Sequence, residues 1–287
     1  MNRAIELKKI RRSHAQPLSG KSVALIFEKP STRTRVSFEV AVRELGGHPL
    51  ILRADELQLG RGETVEDTGA VLSRYVDAIA IRTFGHDRLE QLAEASSVPV
   101  INMLSDTEHP CQALADVMTV LERFSNPMDL KVSYLGDGNN VCHSLLLAGA
   151  KAGFGQMCVG CPPGFEPIEP VVELARSITS ATGGSIQITH DADEAAAGAH
   201  VLYTDVWTSM GQEEESKARR LAFAGYEVTQ GRMKLASEDA IVMHCLPAHR
   251  GEEIEAEVID GSSSAVWDQA ENRLHAQKAL LEWLCQA

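Results

Sequence analysis

The chain reads as an α/β protein of two doubly wound domains, each a mostly parallel sheet with helices on both faces. Three observations predict this. Short β-branched or apolar runs alternate with segments of helical period along the chain, and strands alternating with helices build parallel sheets covered on both sides. The length of 287 residues suits two domains at about 100–200 residues each. Polar clusters follow nearly every strand-like run, which is where open α/β sheets hold ligands.

The candidate strands, in order, are Val23–Phe27, Ala78–Ile81, Val100–Met103, Val132–Leu135, Met157–Cys161, Ile186–Thr189, Val201–Thr204 and Ile241–Met243. After the first, Phe38, Ala41, Val42 and Leu45 mark one face of a helix that stops at Gly46-Gly47. Over 111–124, Leu114, Val117, Met118 and Leu121 form an i, i+3, i+4, i+7 stripe. Ser125-Asn126-Pro127 then reads as a break. It divides the chain into domains 1–125 and 126–268. Residues 269–287 form a last helix, with Ala270, Leu274, Leu281 and Leu284 on one face, expected to return to the first domain. The run Glu213-Glu214-Glu215 is spaced i, i+4 from Lys217 and Arg219, which predicts a solvated helix face.

Composition narrows the function. Lys plus Arg number 27 against 40 Asp plus Glu, a net charge of −13, whereas a nucleic-acid partner calls for a broad basic surface. No apolar run approaches the length of a membrane span, and no apolar stretch follows the charged opening Met1–Arg12 as a signal peptide would require. Six cysteines are too sparse for a disulfide framework, which fits a reducing, cytoplasmic setting.

The polar clusters carry the chemistry. Ser31-Thr32-Arg33-Thr34-Arg35 places hydroxyls and guanidiniums between a strand and the first turn of a helix. Helix N-termini have unpaired N–H donors and partial positive charge, and Arg matches phosphate oxygens with a fixed fork. This loop therefore suits a phosphate, although it lacks the glycines and Lys-Ser/Thr pair of a Walker loop. Arg82 ends the second run, and His109-Pro110-Cys111-Gln112 follows the third. Asp205 ends the 201–204 strand and His244-Cys245-Leu246-Pro247 the 241–243 strand. Gly136-Asp137-Gly138-Asn139-Asn140-Val141 departs from a dinucleotide loop at its third glycine, and no acidic residue ends the next strand. A tight turn that aims Asn140 at a ligand is the better reading. Cys158 and Cys161 lack a second pair, and His244, Cys245 and His249 lack a carboxylate pattern, so no metal and no cofactor is expected.

Taken together, Phe27-Glu28-Lys29-Pro30-Ser31-Thr32-Arg33-Thr34-Arg35, His109-Pro110-Cys111-Gln112, Asp205-Val206-Trp207-Thr208-Ser209-Met210-Gly211 and His244-Cys245-Leu246-Pro247 resemble the ornithine carbamoyltransferase family, in order, from about residue 20 to the end. The first two elements are similar to carbamoyltransferases generally. The last two are similar to the branch that uses L-ornithine.

The resemblance implies transfer of the carbamoyl group from carbamoyl phosphate to the δ-amine of L-ornithine, giving L-citrulline and phosphate, as in arginine biosynthesis. It implies that Ser31, Thr32, Arg33 and Thr34 hold the phosphate. Arg82, His109 and Gln112, with Pro110 and Cys111 beside them, hold the carbamoyl group, and Arg273 closes on it. Cys245 and Leu246 line the place of reaction, with Arg82, His109 and Cys245 as the catalytic set. Asn140, Asp205, Ser209 and Met210 hold the α-amino and carboxylate end of ornithine. Family members resemble homotrimers, alone or in larger assemblies, with Gln58 at the position that reaches a neighbouring chain. Only about 20 residues precede the first strand, fewer than in the family, which bears on packing between chains more than on chemistry. A sister enzyme acting on putrescine, aspartate or acylated ornithine, and a silent homologue that only binds carbamoyl phosphate, are the alternatives. Putrescine would leave Asp205 and the Ser209-Met210 loop with nothing to hold.

Overall fold

Strand β1 (Ser22–Phe27) is buried from Val23 onward on both faces, as a central parallel strand must be. It pairs in parallel with β2 (His48–Arg53) on one side and β3 (Ala78–Arg82) on the other, and β3 pairs with β4 (Val100–Leu104), giving the order β2-β1-β3-β4. The computed structural model describes residues 1–11, 13–53, 55–58, 62–208 and 216–286. Its contacts gather into two compact units, Met1–Met118 with Glu271–Ala287, and Thr119–Ala270.

In the first unit, α1 (Asn2–Lys9) precedes β1. Helices α2 (Thr32–Glu44), α3 (Val65–Leu72), α4 (His86–Ala95) and α5 (Pro110–Arg123) follow β1, β2, β3 and β4. One face of the sheet packs Val23, Leu25 and Phe27 against Phe38, Ala41, Val42 and Leu45, where Leu274, Leu281 and Cys285 join them. The other packs Ala24, Ile26, Ile79 and Ile81 against Val65, Leu89 and Leu92. The second unit has the order β7-β6-β5-β8-β9, all parallel, from β5 (Lys131–Leu135), β6 (Gln156–Gly160), β7 (Ser185–Thr189), β8 (Val201–Thr204) and β9 (Ile241–His244). Helices α6 (Asn140–Ala152), α7 (Glu169–Thr182), α8 (Ala192–Ala196), α9 (Ser216–Ala222), α10 (Gln230–Met233), α11 (Ala256–Ile259) and α12 (Val266–Gln286) complete it, α12 continuing into the first unit.

Each sheet has a point where the chain reverses its direction of growth. In the first, β1 has β2 on one side and β3 on the other; in the second, β5 has β6 on one side and β8 on the other. Crevices at such points are where α/β sheets bind ligands.

Two expectations change. β2 was absent from the candidate strands: Pro49 and the Gly46-Gly47 stop obscure it, and as an edge strand it tolerates a proline. Finally, α12 is not a helix with one apolar stripe. Asn272, Arg273, His275, Gln277 and Lys278 are buried alongside Leu274, and Lys278 reaches Glu44 at 2.9 Å and the carbonyl of Arg11 at 3.1 Å.

Candidate active site

In the first unit, Ser31 caps α2: its Oγ accepts from the Thr34 N–H at 3.3 Å. Thr32 and Arg33 remain exposed on the first turn while Thr34 is buried. Thr32 and Arg33 are thus open to solvent at a helix start, the kind of place that suits an anion. Thr34 Oγ1 accepts from Arg273 Nη2 at 3.2 Å, and Arg273 Nη1 donates to Gln112 Oε1 at 2.6 Å. Gln112 in turn donates to Asp116 at 2.8 Å. One buried chain of bonds therefore joins α2, α5 and α12, with Arg273 only 3% exposed at its centre.

Arg82 at the end of β3 and His109 at the start of α5 are both buried. Burial pushes the His109 imidazole well below its ordinary value, and the positive charges of Arg273, Arg82 and Arg33 push it further, against a backbone hydrogen bond to Met103. A neutral imidazole among three guanidiniums can hydrogen-bond to an oxygen without repelling its neighbours. Pro110 is the first residue of α5. Cys111 is buried, its Sγ set on the carbonyl of Asn102 at 3.3 Å, and burial raises its thiol to about 11. That is the chemistry of a packed thiol. Gln58 is exposed between β2 and α3, and its carbonyl accepts from Glu63 at 3.2 Å.

In the second unit, the loops after β5, β8 and β9 converge. Asp205 is 5% exposed. Its Oδ1 accepts from Cys245 Sγ at 2.8 Å, and its Oδ2 from Asn139 Nδ2 at 3.0 Å. Asn139, the neighbour of Asn140 in the turn, is the residue that bonds to Asp205. Its Oδ1 caps α6 by accepting from Val141 and Cys142, which frees its amide for Asp205. Asn140 is the first residue of α6 and half-buried. The turn depends on Gly138, where a Cβ would lie 2.2 Å from the Pro167 nitrogen.

His244 anchors the segment that carries Cys245. Its Nδ1 accepts from the Leu246 N–H at 2.8 Å and its Nε2 faces Glu253 Oε1 at 3.1 Å, both side chains fully buried. Leu246 adopts φ 58, a left-handed conformation unusual for a side chain that large. It packs against the core of the unit. Asp205, His244 and Cys245 present donor atoms within 4.8 Å of one another. A metal there would compete with bonds these groups already make.

Arg219 overturns one expectation. It is buried, paired with Asp137, bonded to the Trp207 carbonyl and set 5.0 Å from the Phe165 ring, rather than solvated. Desolvation and Asp205 raise the Asp137 carboxyl to about 6 although Arg219 opposes them. Ser209, Met210 and the acidic run 213–215 lie outside the described residues. Asp137, Asn139 and Glu253 escaped the sequence reading. Only the Gly-Asp-Gly-Asn-Asn spacing signalled the first two.

A family model described as the aspartate/ornithine carbamoyltransferase carbamoyl-P binding domain matches residues 1–122, and one described as the Asp/Orn binding domain matches 128–284. An ornithine carbamoyltransferase of Parafrankia sp. (strain EAN1pec) is 62% identical over 284 residues, 98% of this chain and 89% of that one. Another from Acidothermus cellulolyticus is 58% identical over 100% of this chain and 92% of its own. The solved structure of ornithine carbamoyltransferase from Pyrococcus furiosus superposes with a TM-score of 0.96 at 52% identity, covering 100% of this chain and 92% of that one.

Proposed function

The chain belongs to the aspartate/ornithine carbamoyltransferase family, and from that premise we propose that it carbamoylates the δ-amine of L-ornithine with carbamoyl phosphate, releasing L-citrulline and phosphate. The observation that carries the choice of ornithine is the 62% identity, over 98% of the chain, to a relative of that name. The residues suit the chemistry. Carbamoyl phosphate is already activated, so no covalent enzyme intermediate is needed. The neutral amine attacks the carbonyl carbon, a C–N bond forms, negative charge gathers on the carbonyl oxygen, and the C–O bond to phosphate breaks as the amine loses a proton.

Arg82 and neutral His109 stabilise that oxygen, the oxyanion logic, and Gln112 and Arg273 orient the carbamoyl phosphate. Ser31, Thr32, Arg33 and Thr34 hold the departing phosphate. Asp205 pairs with the α-ammonium and fixes the direction of the substrate, with Asn140, Ser209 and Met210 at the same end. Cys245, bonded to Asp205, favours the neutral δ-amine. The δ-amine of free ornithine ionises near a pKa of roughly 10, so the rate rises with pH. Cys245→Ala shifts that rise; an unmoved profile removes this role. The chain works as a homotrimer with Gln58 reaching a neighbour, in the cytoplasm.

The test is citrulline and phosphate release with carbamoyl phosphate and, in turn, L-ornithine, putrescine and L-aspartate, with Arg33→Ala alongside. Turnover on L-ornithine alone, lost in the variant, is the expected result. Turnover on putrescine overturns the role of the second unit. Binding of carbamoyl phosphate without turnover on any amine makes the chain a silent homologue.

A further inference from the structure

The scheme above leaves Glu28 without a role, although this carboxylate stands immediately beyond β1, among groups that attract an anion. Its side chain is 8% exposed. Oε2 accepts from Thr83 Oγ1, Oε1 accepts from Arg88 Nη1 at 2.8 Å, and the Glu28 N–H donates to the carbonyl of Arg82 at 2.9 Å. Thr83 is fully buried, and its N–H donates to Leu104 at the end of β4. One residue therefore binds the end of β1, the end of β3 and the first turn of α4. It does so where β1 and β3 lie side by side and the sheet reverses its growth.

A carboxylate near a phosphate site opposes binding through its charge, and a paired charge opposes it less. Arg88 supplies the pair and Thr83 fixes which way each oxygen points. The backbone carbonyl that Glu28 holds belongs to Arg82, the residue assigned to the carbonyl oxygen of carbamoyl phosphate. The residue three positions on from Glu28 is Ser31, the cap of the phosphate helix.

We propose that Glu28 is a positioning residue for carbamoyl phosphate: by clamping Thr83 and Arg88 it sets the β3 terminus, and so Arg82, at a fixed distance from the Ser31–Thr34 helix start. This rests on the reading of the first unit given above. A purely structural carboxylate would affect stability and both substrates alike. A positioning carboxylate affects one substrate.

The experiment uses the full chain and the variants Glu28→Gln, Arg88→Met and the two combined. Carbamoyl phosphate is varied at saturating L-ornithine, then the reverse, and thermal midpoints are recorded. Each single variant is expected to raise KM for carbamoyl phosphate about tenfold, the scale of one charged hydrogen bond, with KM for ornithine unchanged. The double variant is expected to be no worse than either single one, because both break the same contact. An unchanged KM for carbamoyl phosphate in a folded variant, or equal rises for both substrates, overturns the proposal. Arg88 is 38% exposed, so its variant keeps the test open should Glu28→Gln fail to fold. Carbamoyl phosphate binding by calorimetry, without amine, separates the two readings. If the wild type binds carbamoyl phosphate but transfers nothing, the transferase reading fails, and tenfold weaker carbamoyl phosphate binding in the variants still supports the clamp. Unaltered carbamoyl phosphate binding in them removes it.

Discussion

At His109, burial and three guanidiniums act in the same direction, holding the imidazole neutral well into the acid range. His109 therefore adds no ionisation of its own to the rate near neutral pH, and the rise with pH belongs to the amine substrate. His109→Gln is expected to lower kcat by roughly a hundredfold, the scale of one oxyanion donor, while leaving the shape of the pH profile in place; steady-state rates across pH check it. Asp137 behaves oppositely. Its carboxyl, raised to about 6 from 3.8, binds more protons folded than unfolded between those values. Stability falls as pH rises through that window, and what Asp137 adds is fully present only below it. Asp137→Asn is expected to flatten this dependence, read as denaturation midpoints at about pH 4 and about pH 7. None of this is visible in the sequence, where Asp137 is one letter in a glycine-rich turn.

Among the elements, the helices that begin at the candidate site are the most informative. Ser31 and Asn139 cap α2 and α6 with side-chain oxygens, a signal legible in the sequence because Ser and Asn are good cap residues. Which of two adjacent asparagines does the capping was not legible, because both have the right chemistry. Gly138 decides the matter. A Cβ there would strike the backbone of Glu166 and Pro167, so only glycine lets the turn close and bring Asn139 to Asp205. Gly138→Ala is expected to cost about 1–3 kcal/mol, the range for a forced overlap, and to weaken ornithine binding more than carbamoyl phosphate binding. Urea denaturation and separate KM values test this. The last helix was harder to read, since its buried polar residues satisfy one another across distant parts of the chain.

For the whole molecule, two family models matching consecutive stretches agree with two parallel sheets built from consecutive stretches. The proposed trimer makes a prediction at this scale. Sedimentation is expected to give three times the 31.1 kDa chain mass. Mixing Gln58→Ala chains with Arg33→Ala chains is expected to restore activity above that of either variant alone, since a site that takes Arg33 from one chain and Gln58 from its neighbour carries neither defect. A monomer with full activity would remove Gln58 from the site.

By itself the sequence determined the alternation of strands and helices, the donor-rich chemistry of Ser31–Arg35 at a helix start, and the positions of Arg82, His109, Asp205 and Cys245 at or after strand ends. Periodicity and side-chain chemistry are local properties, written where they act. Strand order, the Arg273–Gln112–Thr34 chain, the bond between Cys245 and Asp205, and the burial of Arg219 were decided only by the tertiary structure. Each joins residues tens to hundreds of positions apart, and which distant groups meet depends on how strands are placed in a sheet, which no local pattern records.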